Sequence, residues 1–146
     1  MTTSTHDEIR VGAIAIRFLL EGAQSNGSVA AFEFAVPAGS RVPAAHSHDG
    51  YEETIYGLEG TLVWTVEGEV HEIGTGEVIC IPRSVVHQFA NLGELDARAL
   101  AIVTPGILRA DYFREAAAVI DAAAGAPPDP AAIAAVMRRH GLTPAP

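Results

Sequence analysis

The sequence predicts an all-β sandwich or barrel that is followed by two short α-helices. Before Pro105, short apolar segments alternate with Gly, Pro and Asn, which is typical of strands joined by turns. After Pro105 the chain is rich in alanine, and its apolar residues recur at helical spacing. We therefore expect a disordered N-terminus over residues 1–9, a β domain over residues 10–104 and a helical extension over residues 105–146.

Nine segments before Pro105 are predicted as strands, because turn residues bound them and many are rich in Val, Ile, Phe and Trp. These are Val11–Leu20, Ser28–Val36, Ala44–His48, Glu53–Leu58, Thr61–Val66, Val70–Ile73, Val78–Ile81, Val86–Ala90 and Ala97–Val103. A hairpin turn is expected at Glu67–Gly68, since glycine readily takes the positive φ of a tight turn.

Two helices are predicted in the extension from their capping residues and apolar stripes. Asp111 is expected to cap the first helix, whose stripe runs over 112–123. The second helix begins with Asp129 as the cap and Pro130 at its first position, and Gly141 is expected to end it. Because two short helices cannot form a core alone, we expect them to dock on the β domain.

The composition excludes several classes of protein. A chain of 146 residues is long enough for one domain with its own core. All nine basic residues are arginine, which excludes a lysine Schiff base, and eighteen acidic residues give a net charge of −9. Nucleic acid is therefore not an expected partner. The polar start does not resemble a secretory signal and no apolar run is long enough to span a membrane, so a cytoplasmic protein is expected.

The segment from Gly39 to Gly60 carries the most informative residues. His46 and His48 are two residues apart, and side chains at this spacing share a face only on a strand. Glu53 follows a turn and begins the next apolar segment, so it can point back toward the same space. Glu52 competes with it, because strand alternation lets only one of the two side chains point inward. The spacing to Gly60 favours Glu53 as the one that does.

A second segment, from Gly76 to Asn91, adds His87 at the start of a strand. Three imidazoles and one carboxylate suit Fe(II), Mn(II), Ni(II), Zn(II) or Cu(II) and do not discriminate finely among these ions. An octahedral ion with these four ligands would keep two positions for substrate, water or dioxygen.

Together these two segments resemble the two signature motifs of the cupin superfamily. The resemblance implies a double-stranded β-helix, the cupin or jelly-roll barrel, over roughly 11–103. It also implies one divalent metal ion inside the barrel, with Fe(II) the expected ion. The implied metal ligands are His46, His48, Glu53 and His87. Two departures affect loops rather than ligands: six residues instead of five separate Gly39 from His46, and Ser84 replaces the second motif's later glycine.

The resemblance implies a mononuclear non-haem, quercetin dioxygenase-like oxidoreductase. We expect a small apolar or aromatic substrate that chelates the metal, with Glu53 as the catalytic base. The residues expected to bind substrate are Tyr51, Ile55, Trp64, Phe89 and Arg41. Two alternatives stay open at this point. One is a non-redox isomerase, epimerase, cyclase or lyase with the same ligands, and the other is a cupin that binds a small molecule without reacting.

A homodimer is also expected. Small β-barrels leave strand edges that need covering, and the cupin resemblance favours association. The N-terminal strand or the helical tail is expected to cover such an edge.

Overall fold

Two antiparallel β-sheets form the body of the protein in a computed structural model that describes residues 7–41 and 44–146. The strands are β1 (Glu8–Val11), β2 (Ile14–Leu20), β3 (Ala30–Val36), β4 (His46–His48), β5 (Glu52–Glu59), β6 (Leu62–Val66), β7 (Glu69–Ile73), β8 (Val78–Ile81), β9 (His87–Ala90), β10 (Ala97–Thr104) and β11 (Leu142–Pro144). The helices are α1 (Ala110–Ala122) and α2 (Pro130–Arg139), and a short 3-10 helix spans Gly22–Gln24.

The first sheet has the order β1-β2-β3-β10-β5-β8, and the second has the order β11-β4-β9-β6-β7. Residues of both sheets and both helices contribute to one hydrophobic core. Strand β3 shows why these segments pair: Ala30, Phe32, Phe34 and Val36 are buried, and the residues between them are half-buried. The expected double-stranded β-helix with C-terminal helices is confirmed.

The hairpin turn between β6 and β7 is also confirmed. Glu67 has φ +49° and Gly68 has φ +82°, so two successive residues take the left-handed conformation. Such a pair matches the twist of the flanking strands and joins them without a longer loop.

At the N-terminus the predicted strand Val11–Leu20 is wrong in its extent. The chain turns at Gly12 (φ +62°) and forms two strands, β1 and β2, which pair with each other. Strand β1 begins at Glu8, inside the segment that was expected to be disordered to residue 9. The remainder of that segment, residues 1–6, lies outside the described residues.

The start of α1 differs from the prediction, whereas the start of α2 agrees with it. Arg109, not Asp111, is the N-cap of α1, and the backbone N–H of Ala110 donates to Glu21 Oε1 at 2.7 Å. Local sequence could not reveal this contact, because Glu21 precedes the helix by almost ninety residues. In α2, Asp129 accepts from the N–H of Ala131 at 3.0 Å, as its capping role requires.

The C-terminal tail ends in a strand that the sequence did not predict. After α2, strand β11 pairs antiparallel with β4, which places Leu142 opposite His48 and Pro144 opposite His46. The Thr143 hydroxyl also donates to Asp49 Oδ1 at 2.7 Å. The tail therefore belongs to the second sheet and covers the edge of β4 within the same chain.

None of the helices in the part of the chain that the structure describes is long and apolar enough to cross a membrane.

We predict that Gly60→Ala destabilises the protein more than Gly68→Ala. Both glycines have positive φ, +66° and +82°. Backbone strain should therefore destabilise an alanine variant at either position by about 1–2 kcal/mol. At Gly60 an added Cβ would also lie 2.5 Å from the carbonyl oxygen of Asp96, whereas at Gly68 nothing lies within 4 Å. The extra loss should be about 1–3 kcal/mol.

Urea unfolding of the two variants and the unmodified protein measures this difference. Equal losses of unfolding free energy would contradict the argument, because they would mean that the backbone at Gly60 has room for a side chain.

Candidate metal centre

The three motif histidines lie on neighbouring strands of the second sheet. His46 and His48 occupy the first and last positions of β4, so both side chains point to the same face. His87 begins β9 and lies directly opposite His46 in the strand register. Glu53 comes from β5 in the first sheet. The two sheets therefore bring these side chains together inside the barrel, although they are separated along the chain.

The ring nitrogens of the histidines converge. The Nε2 atoms of His46 and His48 are 3.2 Å apart, and one ligand atom of each of the three histidines lies within 4.8 Å of the others. Oε1 of Glu53 is 3.8 Å from Nε2 of His87, but Glu53 does not belong to that close group of three. The described residues thus form a three-histidine cluster with a carboxylate beside it.

Backbone carbonyls set the orientation of two of the rings. Nδ1 of His46 donates to the carbonyl of Ala44 at 3.1 Å, and Nδ1 of His87 donates to the carbonyl of Val85 at 2.9 Å. With the proton on Nδ1, Nε2 presents its lone pair to the interior.

The lone pair on Nε2 of His87 accepts no hydrogen bond from the described residues. Nε2 of His87 is buried and has no hydrogen-bond partner among the described residues. An unpaired buried nitrogen is costly, whereas a divalent cation would satisfy it. The donor set therefore fits a metal ion.

Burial keeps the imidazoles neutral. Desolvation and, to a smaller extent, the positive charge that His87 can carry together lower the pKa of His46 to about 4 and the pKa of His48 to about 2. Desolvation also lowers the pKa of His87. Neutral imidazole is the form that binds metal ions, so all three rings are ready to act as ligands near pH 7.

Burial has the opposite effect on the charge of Glu53. Removal of its carboxyl from water raises the pKa of Glu53 to about 7. A carboxyl with this pKa exchanges its proton near neutral pH.

The neighbouring Glu52 points away from the cluster, as the alternation of the strand requires. Its Oε1 accepts from Nη2 of Arg83 at 2.9 Å near the surface. The hydrogen bonds that Arg83 donates to Glu52 lower the pKa of Glu52 to about 2. The prediction that Glu53 rather than Glu52 faces inward is confirmed.

A cavity of about 110 Å³ adjoins the cluster. His46, His48, Glu53 and His87 all line it. Of the residues expected to bind substrate, Trp64 and Phe89 also line it, with their rings 4.7 Å apart.

The other three residues expected to bind substrate are not among the described residues that line the cavity. Tyr51 is fully buried, and its ring stacks on His48 with 4.4 Å between centroids, so it supports a candidate ligand rather than the cavity mouth. Ile55 is buried in the core, and Arg41 is exposed. The expected roles of Tyr51, Ile55 and Arg41 in contacting substrate are therefore not supported by their positions.

The tail contributes to the cavity, which the sequence did not indicate. Side chains of α1, α2 and β11 line it, and so do residues of β1 and β2. The apolar stripe of α1 was the available signal, but it predicted only packing. Tyr112 of α1 is the polar exception: burial raises its pKa, and the Glu53 carboxylate raises it further. Its hydroxyl therefore stays protonated and can donate a hydrogen bond.

Two other motif residues stabilise loops. Asn91 is fully buried, and its Nδ2 donates to the carbonyls of Val36 at 2.9 Å and Leu95 at 2.8 Å. Ser84 has φ +69°, so it takes the left-handed conformation that a glycine would adopt, and its N–H donates to the carbonyl of His48 at 2.7 Å. The departure at Ser84 therefore leaves the candidate ligands in place.

Residues 32–103 match the family described as Cupin domain. An uncharacterized protein of Methanocaldococcus jannaschii is 34% identical over 73 residues, which are 50% of this chain and 58% of that protein. The chain spans about half the length of the curated relatives it matches.

Solved structures share the fold. KdgF from Halomonas sp. superimposes with a TM-score of 0.62 and 20% identity, over 73% of this chain and 90% of that one. A predicted oxalate decarboxylase from Thermotoga maritima also has a TM-score of 0.62, with 26% identity over 72% of this chain and 99% of that one. The family match spans the segments that carry all three histidines and Glu53, and residues 32–103 of this chain therefore form a cupin domain.

Proposed function

We propose that this protein is a metal-dependent enzyme of the dioxygenase type that acts on a small apolar or aromatic compound. The observation that supports this proposal is the convergence of three neutral imidazoles and one buried carboxylate at an apolar cavity. His46, His48, His87 and Glu53 would hold the ion, and Fe(II) is the ion we propose. When bound, the ion supplies positive charge for a substrate oxygen and the redox couple that dioxygen chemistry needs.

Within this proposal the protein residues orient the ligands and move a proton. The carbonyls of Ala44 and Val85 hold the rings of His46 and His87. Glu53, whose carboxyl is buried 3.8 Å from His87, would accept a proton from a substrate hydroxyl. The apolar walls exclude water and favour a substrate with little polar surface.

A non-redox isomerase, epimerase, cyclase or lyase is the second candidate. The basic carboxylate supports it, because proton abstraction beside a cationic centre needs no oxidant. The similarity to the Thermotoga maritima protein described as a predicted oxalate decarboxylase also supports lyase chemistry. A homodimer stays a prediction for either candidate, and light scattering at several protein concentrations tests it.

We predict that the protein binds about one zinc ion and that His87→Ala weakens this binding by at least about 100-fold. The substitution removes a nitrogen that faces the cluster and has no hydrogen-bond partner within residues 7–41 and 44–146. Isothermal titration of the metal-free protein with zinc measures the affinity.

The matched control for that measurement is His71→Ala. His71 lies on β7, is partly exposed and is absent from the three-histidine group. Its removal should leave zinc affinity unchanged. Unchanged affinity in a folded His87→Ala variant would contradict the proposed site.

We also predict that zinc affinity falls about tenfold for each pH unit between about pH 7 and pH 5. Below its pKa of about 7, Glu53 carries a proton that the metal must displace. The imidazoles of His46 and His48 do not compete for protons in this range, because their pKa values lie at about 4 and about 2. Above pH 7 the affinity should level off.

Titration in buffers of different ionisation enthalpy gives the number of protons released. Glu53→Gln should abolish the proton release between pH 5 and pH 7. Persistence of that release in the variant would assign the proton to another group.

We predict that the iron-loaded protein consumes dioxygen with catechol faster than the His87→Ala variant at equal total iron. Catechol has the adjacent oxygens and the single ring that the proposed chemistry and the cavity require. A dioxygen electrode measures the rate, and the variant corrects for oxidation by free iron. Equal rates would count against dioxygenase action on such diols, and conversion of a substrate without dioxygen uptake would favour the non-redox candidate.

A further inference from the structure

One wall of the cavity is built by the C-terminal tail, which lies outside both motif segments. Phe113, Ala116 and Ile120 of α1 line the cavity, and their spacing places them on one face of the helix. Ile133 and Met137 of α2 line it too, four residues apart on one face. Among the tail residues that line the cavity none is charged, and Tyr112 is the only polar side chain.

This wall is fastened to the barrel at several points. Strand β11 pairs with β4, and the ring of Phe113 packs edge-on against Phe32 with 5.1 Å between centroids. Glu115 of α1 contacts His140 at 2.6 Å and Arg139 at 2.7 Å, so it joins the two helices. Because these contacts define the position of α1 and α2, the tail can determine which molecules the cavity accepts.

Volume and polarity together define the ligand that fits. An engineered apolar cavity of about 150 Å³ binds benzene, and the cavity here, at about 110 Å³, is of the same order. It therefore fits roughly one six-membered ring. A charged group would meet no opposite charge on the tail side, where Tyr112 offers the one polar side chain of the lining and a hydroxyl that can donate a hydrogen bond.

We infer that the tail forms a binding subsite for an uncharged, single-ring compound whose apolar body contacts α1 and α2 and whose oxygen accepts a hydrogen bond from Tyr112. As the substrate class of the enzyme, this inference rests on the proposed function. The binding itself depends only on the cavity, so it can be tested without catalysis.

Trp64 provides the measurement, because it lines the cavity and is the only tryptophan in the chain. Its fluorescence is followed while cyclohexanol or myo-inositol is added to the zinc-loaded and the metal-free protein. The two probes share a six-membered carbon ring and differ in polarity. We expect saturable binding of cyclohexanol and at least about tenfold weaker binding of myo-inositol. Equal binding of the two probes, or no saturable binding of cyclohexanol to the folded protein, would overturn the inference.

Substitutions in the tail locate the subsite. Ala116→Leu should fill the cavity and weaken cyclohexanol binding at least about tenfold, whereas Ala118→Leu, at an exposed position of the same helix, should not change it. Tyr112→Phe should weaken cyclohexanol binding about threefold to tenfold. Cyclohexanol affinity that is unchanged in folded Ala116→Leu would place the ligand elsewhere, and an unchanged affinity in Tyr112→Phe would remove the hydrogen bond from the proposal.

A variant with a larger cavity covers the case in which Ala116→Leu does not fold. Ile120→Ala should allow 1-adamantanol, which is larger than cyclohexanol, to bind more tightly than it binds the unmodified protein. No gain in the folded variant would count against the tail as the size-limiting wall.

The outcomes also separate this inference from the proposed function. Selective cyclohexanol binding without metal-dependent turnover would keep the subsite and remove the enzyme. Metal-dependent turnover of catechol without selective binding of cyclohexanol would keep the enzyme and remove the subsite.

Discussion

The candidate metal centre depends on three histidine side chains that are neutral, close together and buried away from water. Burial lowers their pKa values, and two of the rings are oriented by hydrogen bonds from Nδ1 to the carbonyls of Ala44 and Val85. What remains is a set of imidazole lone pairs around one point, and no residue that the structure describes satisfies the Nε2 lone pair of His87. A folded domain tolerates such a cluster only if the surrounding strands hold it firmly, and a cation at that point would relieve the cost.

Strand β4 shows how this support is arranged. It is only three residues long and carries two of the histidines, and it pairs with β9 through the single opposed pair of His46 and His87. Most of its pairing comes from β11 at the end of the chain. The change of composition at Pro105 therefore marks a change of secondary structure, but not the end of the structural unit that holds the candidate metal centre.

Two parts of the chain line the cavity. The barrel supplies the histidines, Glu53 and the aromatic pair of Trp64 and Phe89. The tail supplies apolar side chains and one phenol, from Tyr112. The candidate metal ligands and the apolar wall of the cavity thus come from different parts of the chain, although β11 of the tail also supports β4.

The sequence by itself determined the features that depend on neighbours along the chain. Strand periodicity placed His46 and His48 on one face and allowed only one of Glu52 and Glu53 to point inward. The spacing to Gly60 favoured Glu53, and short-range capping rules found Asp129. Tertiary structure alone decided the capping of α1 by Glu21, the pairing of β11 with β4 and the stacking of Tyr51 on His48. Except for the stacking of Tyr51, these contacts join residues about ninety positions apart, and even that stacking depends on how β4 and β5 are placed by the barrel. Local preferences describe which face a side chain takes on its own strand or helix, but only the closed packing of the sheets with the tail decides what that face meets.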